Sequence, residues 1–586
     1  MSLRLTVLLL ALSGLAREAA AFVVPTDAAG NRRRWWLDPL DARVPTNAVN
    51  RTTRAVRFQP SAAGWSATNT AAELDAVRAA FGQWQAVPST RLRFEEGAPV
   101  PGMTDVNPQD GTNAVFWAKN SVFINGGLDD ISGLPALTLV RRFDDTLAIA
   151  EADITFNGVE FSWFTDLADP TRSRYLVEAI ALHEIGHLLG LNHATAGGAT
   201  MLFSGDPGAG NAQLGLSPDE VSAAQSLYGV AAAAAQFARL RGTVRLGGGA
   251  ALGAVVTLED ATGAVLAGTA SGADGRYDLP ALPPADYHVR ATPLDPRFAS
   301  VTLLRGQDLS SAFTSASTAF LPAANAPVAL AAGASVTRDF NLTAGTPLRI
   351  ARLLSPAASL GPTYITTFKP VRLPADGQPR WVGVFVTNAP APDAVLELTG
   401  PGVAWSGQTS VPNAVGTLTL VAARASVATN APPGLRSFRL TQQGLAAWAN
   451  GYVEIPPAVP DDNFDGLDDR FQRSYWSPWT AQASAPAADP DADGFLNSRE
   501  FNGGSNPTNR LSANFRILSV SVTAQGARVT AETAAGKPFQ LQRRSTIPGA
   551  EWESTGPETV VPADEHEFLD PAVTNRIMFY RVRLTP

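Results

Sequence analysis

HEIGHLLGLNH, His183 to His193, gathers three of the five histidines of a 586-residue chain. The other two, His288 and His566, lie far along the sequence. On a helix, His183 and His187 stand four residues apart and point the same way. Two imidazoles so placed grip one cation at about 2.0–2.1 Å from each nitrogen. Glu184 is turned about 100° round the helix, near such an ion but not obliged to bind it, which suits a general base. A glycine at 190 breaks the helix, and its tolerance of positive φ lets the chain swing back so that His193 supplies a third nitrogen. Three neutral ligands leave the charge of a zinc ion intact and one position open. Zinc so held lowers the pKa of water from about 15.7 toward about 7. Glu184 then takes a proton from that water and passes it to a leaving amine. The chemistry expected is hydrolysis of a peptide bond, with a protein or peptide as substrate.

Around this stretch the pattern is α+β. SRYLVEAIALHEIGHLLGL, starting at Ser173, reads as a long amphipathic helix ending at Gly190. AAELDAVRAAFGQWQA places Leu74, Val77, Phe81 and Trp84 at helical spacing over 71–86. Arg91 to Phe94, SVFIN (121–125) and EADITFN (151–157) read as strands. LSPDEVSAAQSLYG reads as a helix capped by Ser217 with Pro218 behind it. AAAAAQ, 231–236, either extends that helix or acts as a linker.

The extended motif HExxHxxGxxH resembles the metzincin zinc signature, and its flanks are similar to the matrixin branch as found in bacterial secreted proteins. AVRAAFGQWQAVPSTRLRFEE resembles the first helix and strand of that catalytic domain, EADITFN its edge strand along bound peptide, and LSPDEVSAAQSLYG its closing helix. The resemblance covers roughly residues 30–230 and implies that Met201, in ATMLFSG, is the methionine of the turn beneath the metal. It also departs from the family. No histidine outside the signature offers a second, structural zinc site in this region. Ala194 stands where serine is usual, and LFSGDPG replaces the tyrosine-containing wall of the S1′ pocket. No cysteine switch exists, so Asp27 is one candidate for a carboxylate that reaches the zinc.

Composition bounds the rest. Length suggests roughly three to five domains. Apolar residues make up 45% and charged residues 17%, with a net charge of −8, so a globular chain is expected and a nucleic-acid partner is not. The start, MSLRLTVLLLALSGLAREAAAF, has a positive residue, a short apolar run and small residues before Phe22, the pattern of a secretory signal over 1–21. No later segment reads as transmembrane. The expected localisation is secreted, with attachment at a cell surface by other means left open. A chain without cysteine has neither disulfides nor thiolate sites, so packing and bound cations must supply rigidity.

Past 236 the sequence turns β-rich. RGTVRL to YHVRA, within 237–345, resembles the carboxypeptidase regulatory-like sandwich, which implies a spacer or a binding module; His288 there is read as structural. Residues 346–458 read as an immunoglobulin-like sandwich, and 511–586 as a small β domain with exposed aromatics in FQLQRRSTIPGAEW and FYRVRL. Either could carry a cell-surface or matrix ligand. Between them, DPDADGFLNSRE matches a twelve-residue calcium loop: Asp489, Asp491, Asp493, Gly494 at the turn, the Phe495 carbonyl, Asn497 and Glu500. DDNFDGLDDRFQ repeats it with Asp461, Asn463, Asp465, the Leu467 carbonyl and Asp469, but ends on neutral Gln472, so weaker binding is expected. This 459–510 pair resembles the calcium repeats of dockerin or thrombospondin type-3 kind, with a cohesin as one conceivable partner.

The fold class expected is therefore multidomain: an α+β metzincin-like catalytic domain (22–230), two all-β sandwiches, a small calcium-binding segment and a terminal β domain. The function expected is a secreted zinc endopeptidase, with His183, His187 and His193 on zinc and calcium as second cofactor. One alternative is a non-catalytic adhesin with a blocked metzincin domain. A three-histidine iron or copper oxidase is a third reading, disfavoured by Glu184.

Overall fold

The computed structural model describes residues 24–26, 30–168, 173–203, 213–294, 315–361, 363–367, 369–387, 393–510, 512, 516–533, 535–546, 551–572 and 578–585. The signal segment 1–21 and Asp27 lie outside these residues, as does 204–208 of LFSGDPG. The chain divides into two compact units, Met1–Ala458 and Val459–Pro586. Among the described residues no helix is long and apolar enough to cross a membrane.

The first unit opens with an α+β layer. Strands β1 (Val56–Pro60), β2 (Phe94–Glu96), β3 (Ala114–Ala118), β4 (Ala136–Arg142) and β5 (Ile149–Asn157) form one sheet in the order β2-β1-β3-β5-β4. All neighbours are parallel except β4, which runs antiparallel to β5. Helix α1 (Thr70–Ala86) packs on α2 (Val177–Leu188). Helix α3 (Pro218–Tyr228) closes the region, with a capping box between Ser217 and Glu220.

Three sequence expectations need correction in this region, and one open alternative is narrowed. EADITFN is not the edge strand: β5 pairs on both sides and is buried at all nine positions, as a central strand must be, and the edge belongs to β4, ALTLVRR. The long helix starts at Val177 rather than Ser173, because Tyr175–Leu176 is drawn into a parallel pair with Trp163–Phe164. The strand expected over Arg91–Phe94 pairs only from Phe94, through Glu96. AAAAAQ forms a separate 3₁₀ turn after Gly229 ends α3.

Residues 238–342 form a two-sheet sandwich. Strands β6 (Ala238–Leu246), β7 (Val255–Asp260), β8 (Val265–Ala270), β9 (Arg276–Leu282) and β10 (Ala285–Thr292) divide between its sheets: β6 pairs β9 in one, and β7 lies between β8 and β10 in the other. Residues 349–455 form a second sandwich. Its first sheet holds β11 (Arg349–Ala357), β12 (Pro379–Thr387), β14 (Val403–Val415) and β15 (Leu418–Val427); its other holds β13 (Val395–Leu398), β16 (Gly434–Gln442) and β17 (Leu445–Ile455). Val384, Val421, Phe438, Leu440 and Val453 fill the space between these sheets.

In the second unit two short helices, α4 (Asp469–Tyr475) and α5 (Asn497–Gly503), precede a small β domain. Phe495, from the acidic loop, is buried with Val529, Phe539, Leu541 and Phe568 in one core. Phe539 is therefore not one of the exposed aromatics expected of FQLQRR, whereas Phe579 is exposed.

Candidate active site

Helix α2 carries His183, Glu184 and His187 and stops just beyond them. Gly190 adopts φ +100°, and its N–H reaches the His187 carbonyl while the Leu191 N–H reaches that of Gly186, a Schellman ending that only glycine enters without strain. A Cβ at 190 would also lie 2.2 Å from the Arg33 carbonyl oxygen. The side chain of Arg33, buried, donates to the carbonyls of Gly190 (3.2 Å) and Leu191 (3.1 Å) and to Asn192 Oδ1 (2.6 Å). This clamp fixes the reversal that returns His193 to the helix.

The three imidazoles meet as a nearly equilateral triangle. Ring centroids are 4.9 Å apart for His183–His187, 5.1 Å for His183–His193 and 4.9 Å for His187–His193. One ligand atom from each lies within 4.8 Å of the others. His183 Nδ1 donates to the Thr200 carbonyl (2.8 Å) and His187 Nδ1 to the Leu191 carbonyl (2.9 Å). A carbonyl can only accept, so the proton of each ring sits on Nδ1 and Nε2 keeps its lone pair. Burial pushes His183 down to about 4 and holds His187 and His193 well below the usual histidine range, with the neighbouring rings adding to the last two. Three neutral, convergent nitrogens are the donor set a tetrahedral zinc takes, and the spacing suits ligands at about 2.0–2.1 Å.

Glu184 is buried beside this triangle. Its Oε2 accepts from Thr138 Oγ1 at 2.6 Å, and the same hydroxyl lies 3.1 Å from the Glu184 carbonyl. Thr138 belongs to β4, so the edge strand of the sheet also holds the carboxylate. Met201 is buried, with its sulfur so near α2 that a Cβ at Gly186 would be 2.2 Å from it. Glu220 accepts from the backbone N–H of Thr200 (3.1 Å) and Met201 (2.9 Å), tying that turn to α3. Burial raises both Glu220 and its neighbour Asp219.

Residues 54–229 match the model of the matrixin family, Peptidase_M10. The match supports a metallopeptidase in this part of the chain, for which zinc is the implied metal and the three histidines the available donors. No curated protein is similar enough to stand as a relative. Among solved structures, a chimeric titin Z1Z2-Z1Z2 tandem functionalized with a GRGDS peptide from fibronectin is similar at 15% identity. That likeness covers 35% of this chain and 83% of the other, with a TM-score of 0.12, too low to bear on the fold.

Three supporting residues escaped the sequence reading: Thr138, Arg33 and Glu220. Glu220 alone left a signal, as the third residue after a Ser cap. Arg33 precedes the matched region altogether.

In the second unit the two acidic loops share a backbone shape, with left-handed residues at Phe464 and Gly466 in one and at Ala492 and Gly494 in the other. Their side chains differ. Carboxylate oxygens of Asp489, Asp491 and Asp493 lie within 4.8 Å of one another. Each of these residues accepts one backbone N–H, from Gly494, Asp493 and Phe495 respectively. The second oxygen of each, with Asn497 Oδ1 and Glu500 Oε2, is buried without a hydrogen-bond partner. Burial and mutual repulsion push Asp491 up to about 6 and Glu500 to about 7. In the 461–472 loop, Asp465 Oδ2 accepts from Asn463 (3.0 Å) and from Gln472 (2.8 Å). Gln472 thus presents an amide hydrogen where Glu500 presents an oxygen, and Asp461 accepts from Asp465 and Gly466 N–H. Burial beside Asp462 pushes Asp469 up to about 8.

Proposed function

We propose that the chain is an exported zinc-dependent endopeptidase acting on proteins or peptides. The observation that carries this reading is the triangle of three neutral imidazoles with the buried Glu184 carboxylate beside it. His183, His187 and His193 would hold the ion through Nε2. Zinc, when bound, supplies Lewis acidity toward a peptide carbonyl and a water. Glu184 takes a proton from the attacking water as the carbon–oxygen bond forms, and delivers it to the amine nitrogen as the carbon–nitrogen bond breaks. Thr138 keeps the carboxylate aimed. Among the described residues no strand pairs with the outer edge of β4, and an extended substrate would add to the sheet there as a further strand. Export is supported by the apolar segment preceding residue 22, read as a secretory signal.

The 489–500 loop is read as a calcium site. The support is its set of buried, unpartnered oxygens, each costing about 1–3 kcal/mol unless a cation meets it. The 461–472 loop is read as weaker, because its own amides already occupy Asp465. The β domains are read as carriers of a surface or matrix ligand of unassigned chemistry.

Digestion of casein by the purified protein tests the enzyme reading, with Glu184→Ala and o-phenanthroline run beside it. Loss of cleavage in both supports the proposal. A parent that holds zinc yet cleaves nothing favours the adhesin reading, and equal cleavage by Glu184→Ala overturns the role given to Glu184.

A further inference from the structure

The loop joining His193 to Met201 holds two of the three histidines: His193 begins it, and its Thr200 carbonyl accepts from His183. Its neck is closed by the Ala194 N–H on the Met201 carbonyl at 2.8 Å. Its tip leaves the matrixin-like region and enters the second sandwich. The Gly197 N–H donates to the Asn450 carbonyl of β17 at 2.8 Å. A Cβ on Gly197 would stand 2.3–2.5 Å from the Tyr452 ring, and one on Gly198 would stand 2.2 Å from Leu435 and 2.9 Å from the Gly451 carbonyl. Both glycines are needed for contact this close.

The receiving strand is itself braced. Asn450 Oδ1 accepts from buried Arg290 at 2.8 Å, and Arg290 also pairs with Glu259 at 2.7 Å and stacks 4.3 Å from the Trp448 ring. β17 is thereby fixed to the first sandwich. That sandwich meets the catalytic region again where the Gly268 N–H reaches Asp219 at 2.8 Å.

We infer that β17 is a positioning element of the metal centre: Asn450 to Tyr452 set the path of the 194–201 loop and, through it, the placement of His193 and His183. Residues 346–458 are then a working part of the catalytic unit, not a detachable spacer. The inference rests on the reading of the three histidines as a zinc site.

The test is a double-mutant cycle in the full chain: parent, Gly197→Ala, Tyr452→Ala and the pair. Zinc release from each loaded protein into excess chelating dye is timed, kcat and KM are measured on a peptide, and thermal unfolding reports the fold. Gly197→Ala forces the loop off Tyr452 and should speed zinc release about tenfold or more. It should lower kcat while leaving KM within about twofold, since no part of the substrate strand moves. Removing the ring makes room for the new methyl, so the pair should release zinc no faster than Tyr452→Ala alone. Release from Gly197→Ala at the parental rate overturns the inference, as does a pair whose effect is the product of the single effects. Should Gly197→Ala fail to fold, Tyr452→Ala decides: faster release than the parent supports the inference, and the parental rate overturns it. A parent that takes up no zinc overturns the zinc reading and this inference together.

Discussion

Thr138→Val replaces a hydroxyl by a methyl of nearly the same shape at a buried position, and it removes the donor that reaches Glu184 Oε2 at 2.6 Å. A hydrogen bond to a charged group contributes about 1.5–3 kcal/mol, and about 1.4 kcal/mol is a factor of ten in rate. If that bond keeps the carboxylate aimed in the transition state, its loss should lower kcat/KM by about 10- to 150-fold. Zinc content should not change, because the Thr138 hydroxyl bonds to Glu184 and not to the three histidines. The assay is steady-state cleavage of a quenched peptide, with zinc per chain and thermal unfolding measured on the same samples. The control is Thr138→Val in a Glu184→Ala background, where the hydroxyl has no carboxylate to orient and its removal should be silent. The reasoning fails if Thr138→Val cleaves at the parental rate. It fails equally if the substitution lowers the residual activity of Glu184→Ala by the same factor, since Thr138 would then act otherwise than through Glu184.

Arg33→Met removes three donors from the 190–192 reversal and should raise sensitivity to o-phenanthroline about tenfold or more, read as the chelator concentration that halves activity. Calcium at about 100 times its dissociation constant should stabilise residues 459–586 by about 2.7 kcal/mol, and Asp493→Asn should abolish most of that shift while Asp465→Asn changes it less. Calcium binding needs ionised carboxyls, so its affinity should weaken as pH falls through about 7 and about 6, where Glu500 and Asp491 take up protons; titrations at pH 8 and pH 5.5 check this. Asp153, fully buried, is pushed up to about 8 by burial first and then by Glu151 and Asp110. Its folded form stays protonated where the unfolded carboxyl, near about 3.9, has ionised, so unfolding releases a proton and stability falls as pH rises from about 4 to about 8. Asp153→Asn should remove about 1.4 kcal/mol per pH unit from that slope in urea unfolding measured across the range.

The site was legible in the sequence where its geometry is local. His183, Glu184 and His187 share a helix turn, and Gly190 has to be a glycine, so eleven residues specified the triangle of rings. The clustering of the acidic 489–500 loop was legible for the same reason, because its oxygens alternate along one short turn. What escaped depends on contacts between distant segments. Thr138 is one threonine in a strand, and only the pairing of β4 on β5 brings it beneath Glu184. Arg33 lies 157 residues from the Gly190 carbonyl it binds. The edge position of EADITFN was inferred from the resemblance alone, and its pairing with both β3 and β4 is again a contact between distant segments. Its charged residues do not mark an exposed strand either: Glu151 and Asp153 are buried, with Asp153 accepting from the Ala114 N–H at 2.8 Å and Glu151 from the Asp110 N–H at 3.1 Å. Periodicity cannot distinguish a solvated carboxylate from a buried one that has found a donor.

The match to the matrixin model ends at residue 229, but the physical boundary of the first unit lies at Ala458. Charged groups at the junctions account for how the pieces are joined. Arg436 is fully buried, and it donates to the carbonyls of Thr262, Thr399 and Pro432, so one guanidinium ties the two sandwiches together. Arg290 does the same through Glu259, Asn450 and Ser437. Desolvating a guanidinium costs several kcal/mol, so such contacts add little net adhesion. Their geometric demand is severe, however: a shift that breaks one bond leaves a buried charge without its partners. Apolar packing alone would let the sandwiches slide over one another at small cost. The arginines restrict them to one arrangement, in which β17 meets Gly197. A chain without a single disulfide can in this way hold the loop between His193 and Met201 in a fixed place.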